Sequence, residues 1–326
     1  MLKNNTHWKI EDLKIQLDIS TYCNAKCPQC HRTTPETLKK VDWLPLMNWT
    51  IEDFTKAFSE DDLKRIGEIH FSPTWGDPVM NPHLYDMVKH CFNVNRNIKI
   101  RVSTNGSIRN EEWWWKFGSL AKRKFEELSV IFAIDGLNQE MHERYRVNTN
   151  LKKILNNMKA FSEAFRAEAW SQTVIFKHNE DYLEEIKQMC IDHGSKRHVE
   201  LFSSRFDKEK IYHYKDNFLE KSTKDVNFIP NKKIEKVFCQ WENLNEVNIN
   251  YDGSVHPCCY FGNPYTSRNN SFFENEIIKK YENNKNELNV FSNSLEEILL
   301  NKWFNSDLKK SIKENPIYQC ERFCGV

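Results

Sequence analysis

The chain has 326 residues, long enough for one large domain or two and for a substantial buried core. Hydrophobic residues make up 39% and charged residues 29%, with a formal net charge of +1. These values exclude a disordered chain and give no strong field directed at nucleic acid or anionic lipid. No run approaches the roughly 20 apolar residues of a membrane-spanning helix, and residues 1–15 lack the apolar centre of a signal peptide. A cytoplasmic location with reduced thiols is therefore expected, with neither membrane nor nucleic acid as a partner.

In chain order, strand-like and helix-like runs alternate from residue 13 to about 205. Strands are expected at 13–19, 68–72, 98–103, 128–134, 173–176 and 198–202. Helices are expected between them at 50–58, 83–92, 111–117, 151–165 and 181–193. Leu151, Ile154, Leu155, Met158 and Phe161 share one helical face, a packing stripe. Strands alternating with helices predict parallel βαβ units, and six units fit an α/β fold of the partial (β/α)6 TIM-like kind. In such sheets sites form at the carboxyl ends of the strands. A cysteine loop follows the first strand, Gly76-Asp77 the second, Thr104-Asn105-Gly106 the third and Asp135-Gly136 the fourth.

The stretch 206–236 is polar, with weak periodicity, and reads as a linker with at most one short helix. A β-hairpin is expected at 247–251 and 254–256 around Asp252-Gly253. One helix or two follow over 295–312, opened by Ser294 with Glu297 three residues on. Residues 263–293, rich in Asn, Ser, Lys and Glu, read as a surface excursion. The expected organisation is thus a barrel over 1–205, a linker over 206–236 and a small unit of hairpin plus helix over 237–326.

Ten cysteines in a reducing compartment do not make a disulfide framework. Cys91 and Cys190 lie inside helical stretches and read as small buried hydrophobes. Cys23, Cys27 and Cys30 form a Cys-x3-Cys-x2-Cys loop. Three thiolates on one short loop can hold three corners of a cubane cluster and leave the fourth iron open to another ligand. Zinc with His31 as a fourth ligand is the alternative. Cys239 and Cys258 bracket the expected hairpin, and Cys320 and Cys324 close the sequence. Brought together, these four thiolates suit zinc or an iron–sulfur cluster equally.

The Cys-x3-Cys-x2-Cys loop after a first strand resembles the signature of the radical S-adenosylmethionine (SAM) superfamily. In that family the open iron of a 4Fe–4S cluster chelates SAM, and reductive cleavage yields a 5′-deoxyadenosyl radical that abstracts hydrogen from a substrate. Gly76-Asp77-Pro78 resembles the family's Gly-Gly-Glu-Pro stretch, which contacts the SAM ammonium. Thr104-Asn105 resembles the polar end of its third strand. AIDGLNQEMHERYR, residues 133–146, resembles its Ser-x-Asp-Gly segment and the following helix, which implies that Asp135 lies in the SAM site and that Arg146 is the partner of the SAM carboxylate. Gln29 replaces the family's usual aromatic residue, and Ala133 its usual serine.

Cys239-Gln240-Trp241 followed by DGSVHPCC, residues 252–259, resembles the C-terminal extension of the SPASM and twitch enzymes. That resemblance implies a second, auxiliary 4Fe–4S cluster on Cys239, Cys258, Cys320 and Cys324, with Cys259 a bystander. Five cysteines in this region fit the one-cluster twitch form. The resemblance implies a radical SAM enzyme that oxidises or modifies a small molecule or peptide. It would take electrons from a reducing donor such as flavodoxin or ferredoxin. The competing reading is a zinc- or Fe–S-binding interaction protein without SAM chemistry.

Overall fold

The computed structural model describes residues 8–122, 127–206, 210–225, 234–262 and 271–326. Its frame is six parallel strands: β1 (Lys14–Leu17), β2 (Glu68–Phe71), β3 (Lys99–Thr104), β4 (Leu128–Ala133), β5 (Glu168–Ile175) and β6 (Arg197–Phe202). They pair in sequential order, each reached by a helical crossover, which is the arrangement of an open (β/α)6 barrel. Strand β5 begins earlier than expected. Its sequence EAWSQTVI is polar enough to hide the pattern, yet Ala169, Ser171 and Thr173 are fully buried.

Alternation along the strands separates two environments. Ile15, Leu17, Ile69, Phe71, Ile100, Val102, Val130 and Phe132 join Phe54, Met87, Trp114 and Phe161 from the crossover helices in one large core. Most of the intervening residues on β1 to β3 are polar, and some meet one another. His70 Nε2 lies 2.8 Å from Ser103 Oγ, and Gln16 Nε2 donates to Glu246 Oε1 at 2.6 Å. The first two helices start on side-chain caps: Thr50 and Ser59 form reciprocal capping boxes with Asp53 and Asp62.

The region 206–236, read from the sequence as a linker with at most one short helix, contains a hairpin, β7 (Ile211–Tyr214) with β8 (Asn217–Glu220). Tyr214 and Leu219 bury themselves beside Ala25 and Cys27. Tyr212 Oη donates to the Pro28 carbonyl, and Tyr214 Oη to that of Arg144. With one buried residue per strand, no periodicity betrays this hairpin in the sequence. Residues 226–233, within the expected linker, lie outside the described residues.

The expected C-terminal hairpin forms as β9 (Glu246–Ile249) and β10 (Val255–His256), with Gly253 at φ +81° in its turn. It does more than stand beside the barrel. Strand β9 pairs in parallel with β1, Lys14 opposite Glu246 through Leu17 opposite Ile249, so the sheet has eight strands in the order β10-β9-β1-β2-β3-β4-β5-β6. Asn245, in the left-handed region at φ +52°, accepts from Lys9 N and donates to the carbonyls of Lys9 and Glu11.

Ser294 and Glu297 form the expected capping box, and the helical region runs as Leu295–Leu300, a π-helical turn Trp303–Asp307 and Leu308–Glu314. The stretch expected to be a surface excursion instead holds a helix, Glu276–Asn283. Its few apolar residues, Ile277, Ile278 and Tyr281, are all buried. Residues 263–270 lie outside the described residues. No helix among the described residues is long and apolar enough to cross a membrane.

At the end of β1, Asp18 is fully buried. Its Oδ1 accepts from Thr74 N at 2.9 Å and Trp75 N at 3.4 Å, while Oδ2 has no partner among the described residues. Burial pushes its carboxyl up to about 7, against the pull of the Thr74 and Trp75 donors. An unfolded aspartate titrates near about 3.9, so between these values the folded state holds a proton that the unfolded state has lost. Asp18 thus favours folding less and less as pH rises through that window. Asp18→Asn keeps an Oδ1 acceptor and removes the titration. Urea unfolding of the apoprotein should find it more stable than the wild type above pH 7, with the gap closing towards pH 4. A gap independent of pH contradicts the buried, proton-holding carboxyl.

Candidate active site and auxiliary metal centre

The cysteine loop leaves the end of β1 and is held by its surroundings. Gly76 packs against it so closely that an added Cβ would lie 2.4 Å from the Ser20 carbonyl oxygen and 2.7 Å from that of Tyr22. Asp77 N donates to Tyr22 O at 2.8 Å. Cys30 N closes a turn onto Cys27 O at 3.0 Å, and Lys26 N bonds Val147 O at 2.9 Å. The loop is pinned from both sides before any ligand is considered.

The strand-end residues meet on this loop. Asp77 is buried, and its carboxylate accepts from Thr104 Oγ1 at 2.9 Å, Asn105 N at 2.8 Å, Asn105 Nδ2 at 2.7 Å and Val79 N at 3.0 Å. It therefore ties β2 to β3, its acceptor capacity committed within the protein. Asn105 Nδ2 also reaches Asn24 Oδ1 at 2.8 Å and Cys23 Sγ at 3.8 Å. On the other side, Arg146 Nε donates to the fully buried Asp135, and Arg146 Nη1 lies 3.8 Å from Cys27 Sγ. Asp135 Oδ1 takes a further bond from Val174 N, which fixes the carboxylate and through it the guanidinium. Cys23, Cys27, Asp77, Thr104, Asn105, Asp135 and Arg146 thus form one network around the loop, with Gly76 as its floor.

Sequence reasoning passed over two members of this site. Arg32 is buried and donates to Thr21 O at 3.0 Å and Trp75 O at 3.2 Å, putting a second cation near Cys23. Asn24 donates to Ser107 Oγ at 2.7 Å. An arginine two residues past the last cysteine of the loop is the signal that the sequence offers. Gln29, the departure from the family pattern, is buried. Its side-chain oxygen accepts from Ser203 Oγ at 2.7 Å and its carbonyl from Arg205 Nη1 at 2.8 Å, a tie to the segment after β6. Ala133 is buried at the end of β4.

Burial raises the Cys23 thiol above its ordinary range, with Asp77 and Cys27 pushing the same way. Burial also raises Cys27, against the Arg146 charge. Adjacent thiols that resist ionisation together are relieved when iron replaces their protons. Nearby N–H groups of Asn105 and Arg146 suit thiolate sulfur. The donor set therefore fits a cluster on this loop. Among the described residues no set of three or more His, Cys, Asp or Glu side chains is gathered as a single metal ion requires. A cubane spreads its thiolates over several irons.

The second cysteine group lines a recess of about 400 Å³, counted with its open mouth, whose walls include Cys239, Cys258, Cys320 and Cys324. Cys259 is not among the lining residues. The segments bearing Cys239 and Cys324 are joined by a bridge of Val237 to Gly325 and by Phe238 N bonding Cys324 O at 3.0 Å. Tyr260, which also lines the recess, stacks on Phe323 with ring centres 3.7 Å apart. Burial pushes Cys239 and Cys320 up to about 12 and raises Cys258 and Cys324. Gln319 lines the same recess, and neither polar atom of its amide has a partner among the described residues. Four thiols and an unpartnered amide around an otherwise apolar hollow fit a buried cluster.

Residues 17–190 match the radical SAM superfamily, and residues 239–325 match SPASM, an iron–sulfur cluster-binding domain. The chain is 22% identical over 321 residues to a GTP 3′,8-cyclase of Aliarcobacter butzleri (strain RM4018), covering 85% of this chain and 91% of that protein. Among solved structures, it resembles anSMEcpe with bound AdoMet with a TM-score of 0.58 at 14% identity, over 92% of this chain and 84% of that one. It also resembles SuiB of Streptococcus suis, with a TM-score of 0.54 at 13% identity, over 88% and 67% of the two chains.

Gly76→Ala tests the floor of the site. The three atoms nearest to its methyl group are all backbone of residues 20–22, so the loop itself must shift. Anaerobically reconstituted G76A protein should lose most SAM-dependent 5′-deoxyadenosine formation, tenfold or more, while circular dichroism stays that of the wild type. Wild-type turnover in G76A contradicts the close packing described.

Proposed function

The chain belongs to the radical SAM superfamily and carries a SPASM domain, so it is an enzyme that uses SAM and iron–sulfur chemistry; from that premise we propose that it abstracts a hydrogen atom from its substrate and that an auxiliary cluster would supply electron-transfer capacity beside that chemistry. Cys23, Cys27 and Cys30 are the residues that would hold the SAM-binding cluster. A 4Fe–4S cluster bound there supplies the electron for reductive cleavage of SAM.

The rest of the work falls to this chain's own side chains. Arg146 is oriented by Asp135 through Nε, which leaves its terminal N–H groups to meet a carboxylate beside Cys27. Asp77 holds Thr104 and Asn105 in place, and Asn105 presents an N–H to Cys23. Burial of these groups keeps water from the site and strengthens each interaction. The single observation that carries the reading is this convergence of four strand ends on one three-cysteine loop.

The auxiliary cluster would sit on Cys239, Cys258, Cys320 and Cys324. The choice of Cys258 over Cys259 is supported by the recess, which Cys258 lines and Cys259 does not. With four protein thiolates no iron is open to substrate, which suits electron transfer. A reducing protein partner and a substrate complete the reaction. A second reading takes GTP as the substrate, on the strength of the match to GTP 3′,8-cyclase over 321 residues. It requires that GTP raise 5′-deoxyadenosine formation above the uncoupled rate, and no response to GTP removes it.

Cys27→Ala should abolish 5′-deoxyadenosine formation under dithionite; formation at the wild-type rate sinks the catalytic assignment. Cys320→Ala or Cys324→Ala should lose about half the iron yet retain uncoupled SAM cleavage. Cys258→Ala should behave like them, and Cys259→Ala should keep its full iron content. Unchanged iron in C320A, C324A and C258A contradicts the auxiliary site.

A further inference from the structure

Gln319 is an anomaly that neither packing nor the proposed ligand set absorbs. The residue is 4% exposed, and both side-chain amide atoms are buried without a hydrogen-bond partner among the described residues. A buried amide left unpaired carries the full cost of its desolvation. The rest of this hollow is apolar, lined by Val237, Leu308, Ile312 and Ile317 beside the aromatic wall of Trp241, Tyr260 and Phe261. Leucine or methionine would fill such a place at no polar cost. The side chain sits immediately before Cys320, in the helix Tyr318–Cys324 that carries both terminal cysteines. Besides the four thiols, the lining side chains that carry a heteroatom are Trp241 and Tyr260, and Phe261 N donates to Cys258 Sγ at 3.4 Å.

We propose that Gln319 is a positioning residue for the auxiliary cluster, its Nε2–H donating to a cluster or thiolate sulfur and setting that cluster's reduction potential. The inference rests on the auxiliary-cluster reading above. Reduction adds one negative charge to the cluster and its thiolates. An N–H dipole aimed at sulfur inside a low-dielectric hollow stabilises the reduced state more than the oxidised one and raises the potential. A higher potential makes the auxiliary cluster a better acceptor for an electron leaving a substrate radical. Gln319 is thus a tuning residue, neither a ligand nor a group that touches substrate.

The test is a potentiometric titration of the anaerobically reconstituted full-length enzyme, followed by electron paramagnetic resonance. The auxiliary signal is identified as the one that SAM does not alter. Gln319→Leu removes the donor at similar volume, and Gln319→Glu replaces it with an acceptor. Both should keep wild-type iron and sulfide and shift the auxiliary midpoint to more negative values, while the SAM-sensitive signal stays at its own midpoint. An auxiliary midpoint unchanged in both variants overturns the proposal. So does loss of the auxiliary signal in both, since Gln319 would then hold the cluster in place and not tune it. Wild-type protein with iron for one cluster only overturns the underlying auxiliary-cluster reading, a result distinct from either of these.

Discussion

Strand β1 has no free edge. It is hydrogen-bonded in parallel to β2 on one side and to β9 on the other, in matched register from Lys14 to Leu17. Everything chemical in this protein hangs from that strand. The first cysteine loop leaves its carboxyl end, and the hairpin that precedes Cys258 is fastened to its other flank. Parallel pairing between segments more than two hundred residues apart has a large loop-closure cost. It is offset by burying Ile15, Leu17, Val247 and Ile249 completely and by the Asn245 bonds to Lys9 and Glu11. A chain in which β9 failed to dock would keep the barrel's strand order but leave the second cysteine group without its foundation.

The site built on this frame stores charge where water does not reach. Asp77, Asp135, Arg32 and Arg146 are all buried or nearly so, and each is held by several named partners. Removing one partner of a buried ion pair typically costs about 3–5 kcal/mol, because the other charge stays behind. These residues therefore do not simply stabilise the fold. Their return is orientation: Asp135 fixes Arg146 beside Cys27, and Asp77 fixes Asn105 beside Cys23. A ligand meets groups already aimed, and binding leaves little to reorganise.

Much of this was legible in the sequence. Strands β1 to β4 and β6 announce themselves through short runs of β-branched and aromatic residues. Their carboxyl ends carry Cys23, Gly76, Thr104 and Asp135, as parallel α/β geometry requires. The early start of β5 was hidden because its inward positions include Ser171 and Thr173, polar residues satisfied by Ser195, His198 and the Ile134 carbonyl. The β7–β8 hairpin was hidden because it uses two aromatic hydroxyls and two buried residues where a longer hairpin would use a stripe. Least legible were the partners of Asp77. A sequence can nominate a carboxylate for a site, but only the fold shows which protein groups, here Thr104, Asn105 and Val79, donate to it. The pairing of β9 with β1 was likewise beyond local pattern, since register between distant strands is set by tertiary packing.

The most direct test of the central claim is a Mössbauer spectrum of enzyme reconstituted with iron-57, recorded with and without SAM. The account predicts two 4Fe–4S clusters, one of which shows a single distinct iron site when SAM is added while the other is unchanged. A spectrum indifferent to SAM would contradict it, because it would mean that the three-cysteine loop and the residues gathered on it do not form a SAM site.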